Sequence, residues 1–122
     1  MTAYTQETLI PSTTYGTPSG NYDGNNPDFI GNAVIGANYY GGMRSAQTVI
    51  ADLADVVGTI TIQGTLHSTV LEANWFDIIT IGDPLNPLTD VISETLVGNF
   101  VWLRAVVVGF ENGTINSVGV NY

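Results

Sequence analysis

The 122-residue chain has no cysteine, which removes disulfides, thiol chemistry and zinc–thiolate sites together. Positive charge is nearly as scarce. Two cations, Arg44 and Arg104, stand against 11 acidic residues, giving a formal net charge of −9. A surface so poor in cations repels phosphate, so nucleic-acid binding and attachment to anionic lipid are not expected. His67 is the only histidine, and no GxSxG turn surrounds any serine, so a triad built on His67 is not expected either. No apolar run approaches the roughly 20 residues that span a bilayer. The N-terminus lacks a basic stretch leading into an apolar run, and a secretory signal is therefore not expected. No repeat, glycine-rich phosphate cradle, metal cluster or amphipathic helix stands out. These absences point to a single domain that uses no cofactor, with the negative charge serving solubility.

What is present is strand-like. Residues 98–122, GNFVWLRAVVVGFENGTINSVGVNY, read as two strands around Asn112-Gly113, a pair suited to a two-residue turn with positive φ at both positions. That turn would set Leu103 opposite Tyr122, Ala105 opposite Val120 and Val107 opposite Val118 on one apolar face. The other face of the outgoing strand carries Phe100, Trp102, Arg104, Val106, Val108 and Phe110. A strand apolar on both faces is usually covered on both, here by another sheet, by the chain's own N-terminal arm or by a neighbouring subunit. As an oligomer interface the second face would act through Phe100, Trp102, Val106, Val108 and Phe110. Residues 58–66, GTITIQGTL, alternate strictly and predict a half-exposed antiparallel strand. Residues 45–57 fit helix or strand spacing, and their run into the next strand favours a strand followed by a short loop. Gly31 and Gly36 punctuate a strand over 29–43, where bulges or close backbone approach are expected. Residues 74–81 and 91–96 complete the strand pattern. Frequent turns without a convincing helix predict an all-β, antiparallel β-sandwich or jelly-roll-like domain over 29–122.

Residues 1–28 are rich in Thr, Ser, Gly, Pro, Asn and Tyr, with Leu9 and Ile10 the only adjacent aliphatics. Such a stretch cannot make its own core. It reads as an extended N-terminal arm laid on a partner, with Tyr4, Leu9, Ile10, Tyr15 and Tyr22 as anchors; the alternative is an arm tucked against its own domain. Tyr22, Asn38, Tyr39 and Tyr40 are surface-type aromatics and amides that would suit a carbohydrate or protein contact. Among the carboxylates, Asp77 has apolar neighbours, and a structural Asp77–Arg104 ion pair is the simplest way to accommodate both. The run Asp23-Gly24-Asn25-Asn26-Pro27-Asp28 offers oxygens, but it lacks the glutamate of an EF-hand loop and reads as an Asx-rich turn. Asn112-Gly113-Thr114 matches a glycosylation acceptor and is already explained as a turn.

The order GNAVIGANYYGG, QTVIADL, VGTITIQGTL, NWFDI and the FVWLR strand with its GTI hairpin resembles small virion structural proteins of tailed phages, especially those of marine and cyanobacterial hosts. The resemblance covers residues 29–122 and departs at MRSA before QTV, which leaves the fold expectation intact. It implies a non-enzymatic virion component, with no catalytic residues to carry over. The expected role is a capsid decoration or cement protein on the capsid surface. Its partner would be the major capsid protein or another virion protein, and a homotrimer is the first expectation by analogy with three-fold lattice positions. The alternative is a tail, neck or fibre-associated component with a carbohydrate- or protein-binding β-domain.

Overall fold

The computed structural model describes residues 6–39 and 45–122; Tyr4, Tyr40 and Arg44 lie outside them. The regular structure of the described chain is almost entirely strand. Four short segments come first: β1 (Gln6–Ile10), β2 (Thr13–Thr14), β3 (Phe29–Ile30) and β4 (Val34–Ile35). Three long strands follow, β5 (Ala46–Thr65), β6 (Phe76–Val97) and β7 (Trp102–Asn121), with one 3₁₀ turn over Glu72–Asn74. All belong to one antiparallel sheet in the order β1-β7-β5-β6, and β2, β3 and β4 continue β1 along the outer side of β7.

The layering comes from bending. The Tyr122 hydroxyl donates to the Ile35 carbonyl at 2.7 Å, although Ile35 pairs with Trp102 at the opposite end of β7. A straight strand of this length would hold those ends about 60 Å apart. The backbone reverses gradually instead, and the irregularities sit at the bend. In β5 the register shifts between Leu53 and Gly58, where Asp55 (φ 56°) and Gly58 (φ 132°) leave the extended region. In β7, Gly109 (φ 69°) and Gly113 (φ 90°) do the same. Bulges of this kind increase local twist and bend a strand.

The bulges also change which side chains face inward. Before its bend β5 buries Val49, Ala51 and Leu53; after it, Val56, Ile60 and Ile62. In β7 the buried set passes from Leu103, Ala105 and Val107 to Phe110, then Ile115, then Val118 and Val120. Each change of parity keeps the apolar side on the inside of the fold. One continuous core results, formed between the two halves of a single sheet.

Two sequence expectations are corrected here. Asn112-Gly113 does not close a hairpin. β7 runs through it, and β5 pairs with both halves, Val118 facing Ala51 and Val107 facing Ile60. Of the side chains expected on one apolar face, Leu103, Ala105, Val107, Val118 and Val120 are buried together and Tyr122 is half-buried against them, but they are not cross-strand neighbours. Gly113 is there because a Cβ would collide with the Asp55 carbonyl oxygen at the bend. Nor do residues 6–28 lie apart from the domain. They add a broken outer strand to β7, with Glu7 facing Val120 and Thr13 facing Ile115. Backbone pairing, which composition does not report, holds this segment. Gly31 and Gly36 do serve close approach, since a Cβ would meet the Leu9 and Phe100 carbonyl oxygens respectively.

Candidate functional site

Three regions of the surface carry the side chains that could act. The first is a polar row on the outer face of the sheet. Gln63 of β5 stands between Arg104 of β7 and Asp77 of β6 by register. Arg104 Nε donates to Gln63 Oε1 at 2.8 Å, and Gln63 Nε2 donates to Asp77 Oδ1 at 2.8 Å. The expected Asp77–Arg104 ion pair is thus corrected to a relay through one amide. The guanidinium makes its ion pair with Glu72, through bonds of 3.0 and 2.8 Å to the two carboxylate oxygens. This is the bidentate geometry that suits arginine.

Glu72 belongs to the 66–75 loop joining β5 to β6, and the loop is tied over β7 at several points. Trp102 Nε1 donates to the Ser68 carbonyl at 3.1 Å. The Trp75 ring lies 4.4 Å from the Arg104 guanidinium carbon, within cation–π range. Arg104 is buried, whereas the Glu72 side chain is 77 % exposed. The hydrogen bonds from Arg104, and then its charge, hold the Glu72 carboxyl below its ordinary range. Sequence reasoning required a carboxylate for Arg104 and found the wrong one, because strand proximity was legible and the path of the loop was not.

The second region is the expected partner surface, and most of it is interior. Leu9, Ile10 and Tyr22 are fully buried in the chain's own core. Tyr22 packs on Phe29 and Phe110 at ring separations of 5.1 and 5.3 Å, and its hydroxyl accepts from the Gly16 amide at 2.9 Å. Tyr15 is half exposed and meets Phe110 edge-on at 6.0 Å. Of the expected oligomer interface, Phe110 is buried because the Gly109 bend turns it inward, and Phe100, which precedes β7, is buried with its ring in the space that Gly64 and Gly98 leave open. Phe100 packs near Phe76, at a ring separation of 5.9 Å. Trp102 is half-buried against Tyr39. Only Val106, half-buried, and Val108, exposed, remain on the outer face beside the exposed Ile30. The second face of β7 is therefore covered largely by this chain itself.

The third region was not foreseen. β6 pairs with β5 alone, so its other edge has no neighbour in the described chain. Of the eleven large apolar side chains exposed among the described residues, seven lie between Leu66 and Val97. They are Leu66, Val70 and Leu71 on the loop and Phe76, Leu85, Val91 and Val97 on β6, with Leu85 83 % and Val97 75 % exposed. The strand pattern of 91–96 was visible in sequence; its place at the sheet edge was not.

The remaining candidates have local explanations. Asp23 accepts from the Asn25 and Asn26 amides at 2.8 and 2.7 Å, and these bonds, Asn26 first, lower its pKa. The run is an Asx turn, as its composition indicated. His67 is exposed, with its amide bonded to the Thr65 hydroxyl at 3.1 Å. Among the described residues no group of three or more His, Asp or Glu is placed to hold a metal ion. A cleft of about 250 Å³ beside the first segments is lined by Leu9, Phe29, Asn21 and Asn32. Asn21 there already spends its amide donors on the Ile30 carbonyl and Asn32. Compared with known proteins, the chain matches no family model, no curated protein and no solved structure.

Proposed function

We propose that this chain is a non-enzymatic structural protein of a tailed-phage particle, acting as a capsid decoration or cement protein that adheres to a neighbouring virion protein. The observation that carries the reading is the concentration of exposed apolar side chains between Leu66 and Val97, along a strand with an unpaired edge. Such a combination is a liability in a protein that works alone, and it suits one that works docked. The resemblance of residues 29–122 to small phage virion proteins supplies the setting. The first segments act inside the domain, completing the sheet beyond β7, and adhesion passes to β6 and the 66–75 loop. Each docked copy adds buried area across a seam between capsid subunits.

A mass-spectrometric copy count on purified particles tests the setting. Hundreds of copies per particle are expected for a capsid lattice; a handful places the protein in the tail or neck, and absence from the particle rejects the reading. Co-sedimentation of added protein with particles lacking it tests the surface. Val97→Asp combined with Leu71→Asp should abolish retention and leave the fold intact, because both side chains are exposed.

A further inference from the structure

We propose that the Asp90–Val97 edge of β6 accepts an extended Lys- or Arg-bearing segment of another protein as an added strand, and that its carboxylates exclude a second copy of this chain. The inference rests on the adhesive reading above and names the occupant of that surface. From Asp90 facing Leu53 to Val97 facing Ala46 the pairing with β5 is unbroken. Eight residues, about 26 Å of strand, therefore lie along an edge with no other strand beside it among the described residues. Its alternate backbone groups point away from β5, and the Val91 amide is held by Asp90 Oδ1 at 2.8 Å, which leaves the second Asp90 oxygen free of that bond. Edges are commonly blunted by proline, lysine, bulges or shortness. Pro84 and Pro87 stand only at the corner before this stretch, and Asp90–Val97 has none of those devices.

What it has is inward-side charge. By register, Asp90, Ile92, Glu94 and Leu96 share the face of the buried Leu53, Ala51, Val49 and Gln47. Val91, Ser93, Thr95 and Val97 take the outer face. Asp90 and Glu94 are exposed, and Arg104, the one cation among the described residues, is engaged by Glu72. Antiparallel pairing of two such edges, with their inner faces aligned, sets Asp90 or Glu94 against a carboxylate or against Ile92 or Leu96 in each register centred on this stretch. Like charges directly opposite are destabilising, and the net charge of −9 on each copy adds repulsion. The same two carboxylates attract a strand whose cations are four residues apart with an apolar residue midway, over Ile92. Backbone bonds would supply affinity and this spacing would supply selectivity.

The test uses the full chain and two octapeptides of one composition, TKTVTKTV and TKKTVTTV. Only the first can place lysines opposite Asp90 and Glu94 while setting valine over Ile92. In an NMR titration the first should bind at least fivefold tighter, with amide shifts and slowed hydrogen exchange confined to residues 88–98. Asp90→Asn with Glu94→Gln should bring the two affinities within twofold and, in sedimentation, should associate beyond the parent's own state, with the added contact protecting the Asp90–Val97 amides from exchange. Equal binding of the two peptides by the parent protein, protection elsewhere on the sheet, or parent dimers formed through this edge would each overturn the proposal. If the protein resides on particles yet the double variant is retained as well as the parent, strand addition fails and the adhesive reading stands. If the protein is absent from particles but the peptide discrimination holds, the adhesive setting fails and the edge assignment stands.

Discussion

Arg104 shows how one side chain can depend on three different elements. Its Nε is satisfied by Gln63 on β5, its terminal nitrogens by Glu72 on the loop, and its flat face by Trp75. Arg104→Ala should cost on the order of 1–3 kcal/mol, through the stranded Gln63 oxygen and the lost stem under Trp75. The figure is lower than for a fully buried pair because Glu72 is exposed and can return to water. Chemical denaturation of the variant measures it. The Glu72 carboxyl also predicts a pH effect of definite sign. Its folded pKa lies below the ordinary value of 4.5, so its contribution is complete above that value and is lost as pH falls through the folded pKa. Asp23 and Asp83, lowered by local amide bonds, act in the same direction. Melting curves from pH 7 down to pH 3 should therefore fall less steeply for Glu72→Gln than for the parent. Gln47 is a second polar residue of this kind, buried and unremarked in the sequence. Its amide oxygen accepts from Ala37, and its nitrogen lies within reach of the Ser45, Leu96 and Gly98 carbonyls. It joins the start of β5 to the link between β6 and β7.

At the level of the element, the decisive feature is the bend in β7. Gly109 and Gly113 both have positive φ, but their surroundings differ. A Cβ at Gly109 meets nothing within 4 Å, whereas one at Gly113 would strike the Asp55 and Ala54 carbonyl oxygens. Gly109→Ala should thus cost only the backbone term of about 1–2 kcal/mol. Gly113→Ala should cost clearly more, because β5 and β7 must separate where they turn. Equal losses in a paired melting experiment would mean that the close approach has no energetic weight. The first segments make a second element-level claim. Tyr22 fills the space between Phe29 and Phe110 and is fully buried, so Tyr22→Ala should destabilise by about 3–5 kcal/mol. A partner-binding arm would lose nothing measurable in isolation when Tyr22 is removed.

For the whole molecule, the bend means that no part of the sheet is a separate layer with its own interior. Leu9 and Ile10 share one core with Val118 on their side of the fold and with Ile60 and Ala105 on the other. Unfolding should accordingly be one cooperative transition. Native-state hydrogen exchange checks this: the amide of Gly31, bonded to Ala105, and that of Tyr15, bonded to Gly113, should open with the same free energy as the β5–β7 ladder. Exchange at Gly31 and Tyr15 far ahead of the ladder would show that residues 6–35 are a detachable arm after all. The edge of β6 lies outside this mutual support, paired on one side only among the described residues, and is the edge to which the proposed strand addition is assigned.

The amino-acid sequence by itself determined that the chain is all β. Strict alternation in Thr59–Leu66 and the β-branched richness of residues 98–122 admit little else, and the absence of cysteine removed disulfides and thiol chemistry. It also placed glycine at close backbone approaches such as Gly31, Gly36 and Gly113, and it pointed to a carboxylate near Arg104. Only the tertiary structure decided what those signals meant. Asn112-Gly113 suits a tight hairpin and a bend equally well locally, and the choice fell to β5, whose length lets it pair with both halves of β7. Residues 6–28 are too polar to make a core, yet they need none of their own where an open strand edge offers hydrogen bonds and a ready cavity takes Leu9, Ile10 and Tyr22. Pairing partners and edge positions are long-range properties of a sheet. A local pattern records which face of a strand is apolar, and it cannot record which strand lies beside it.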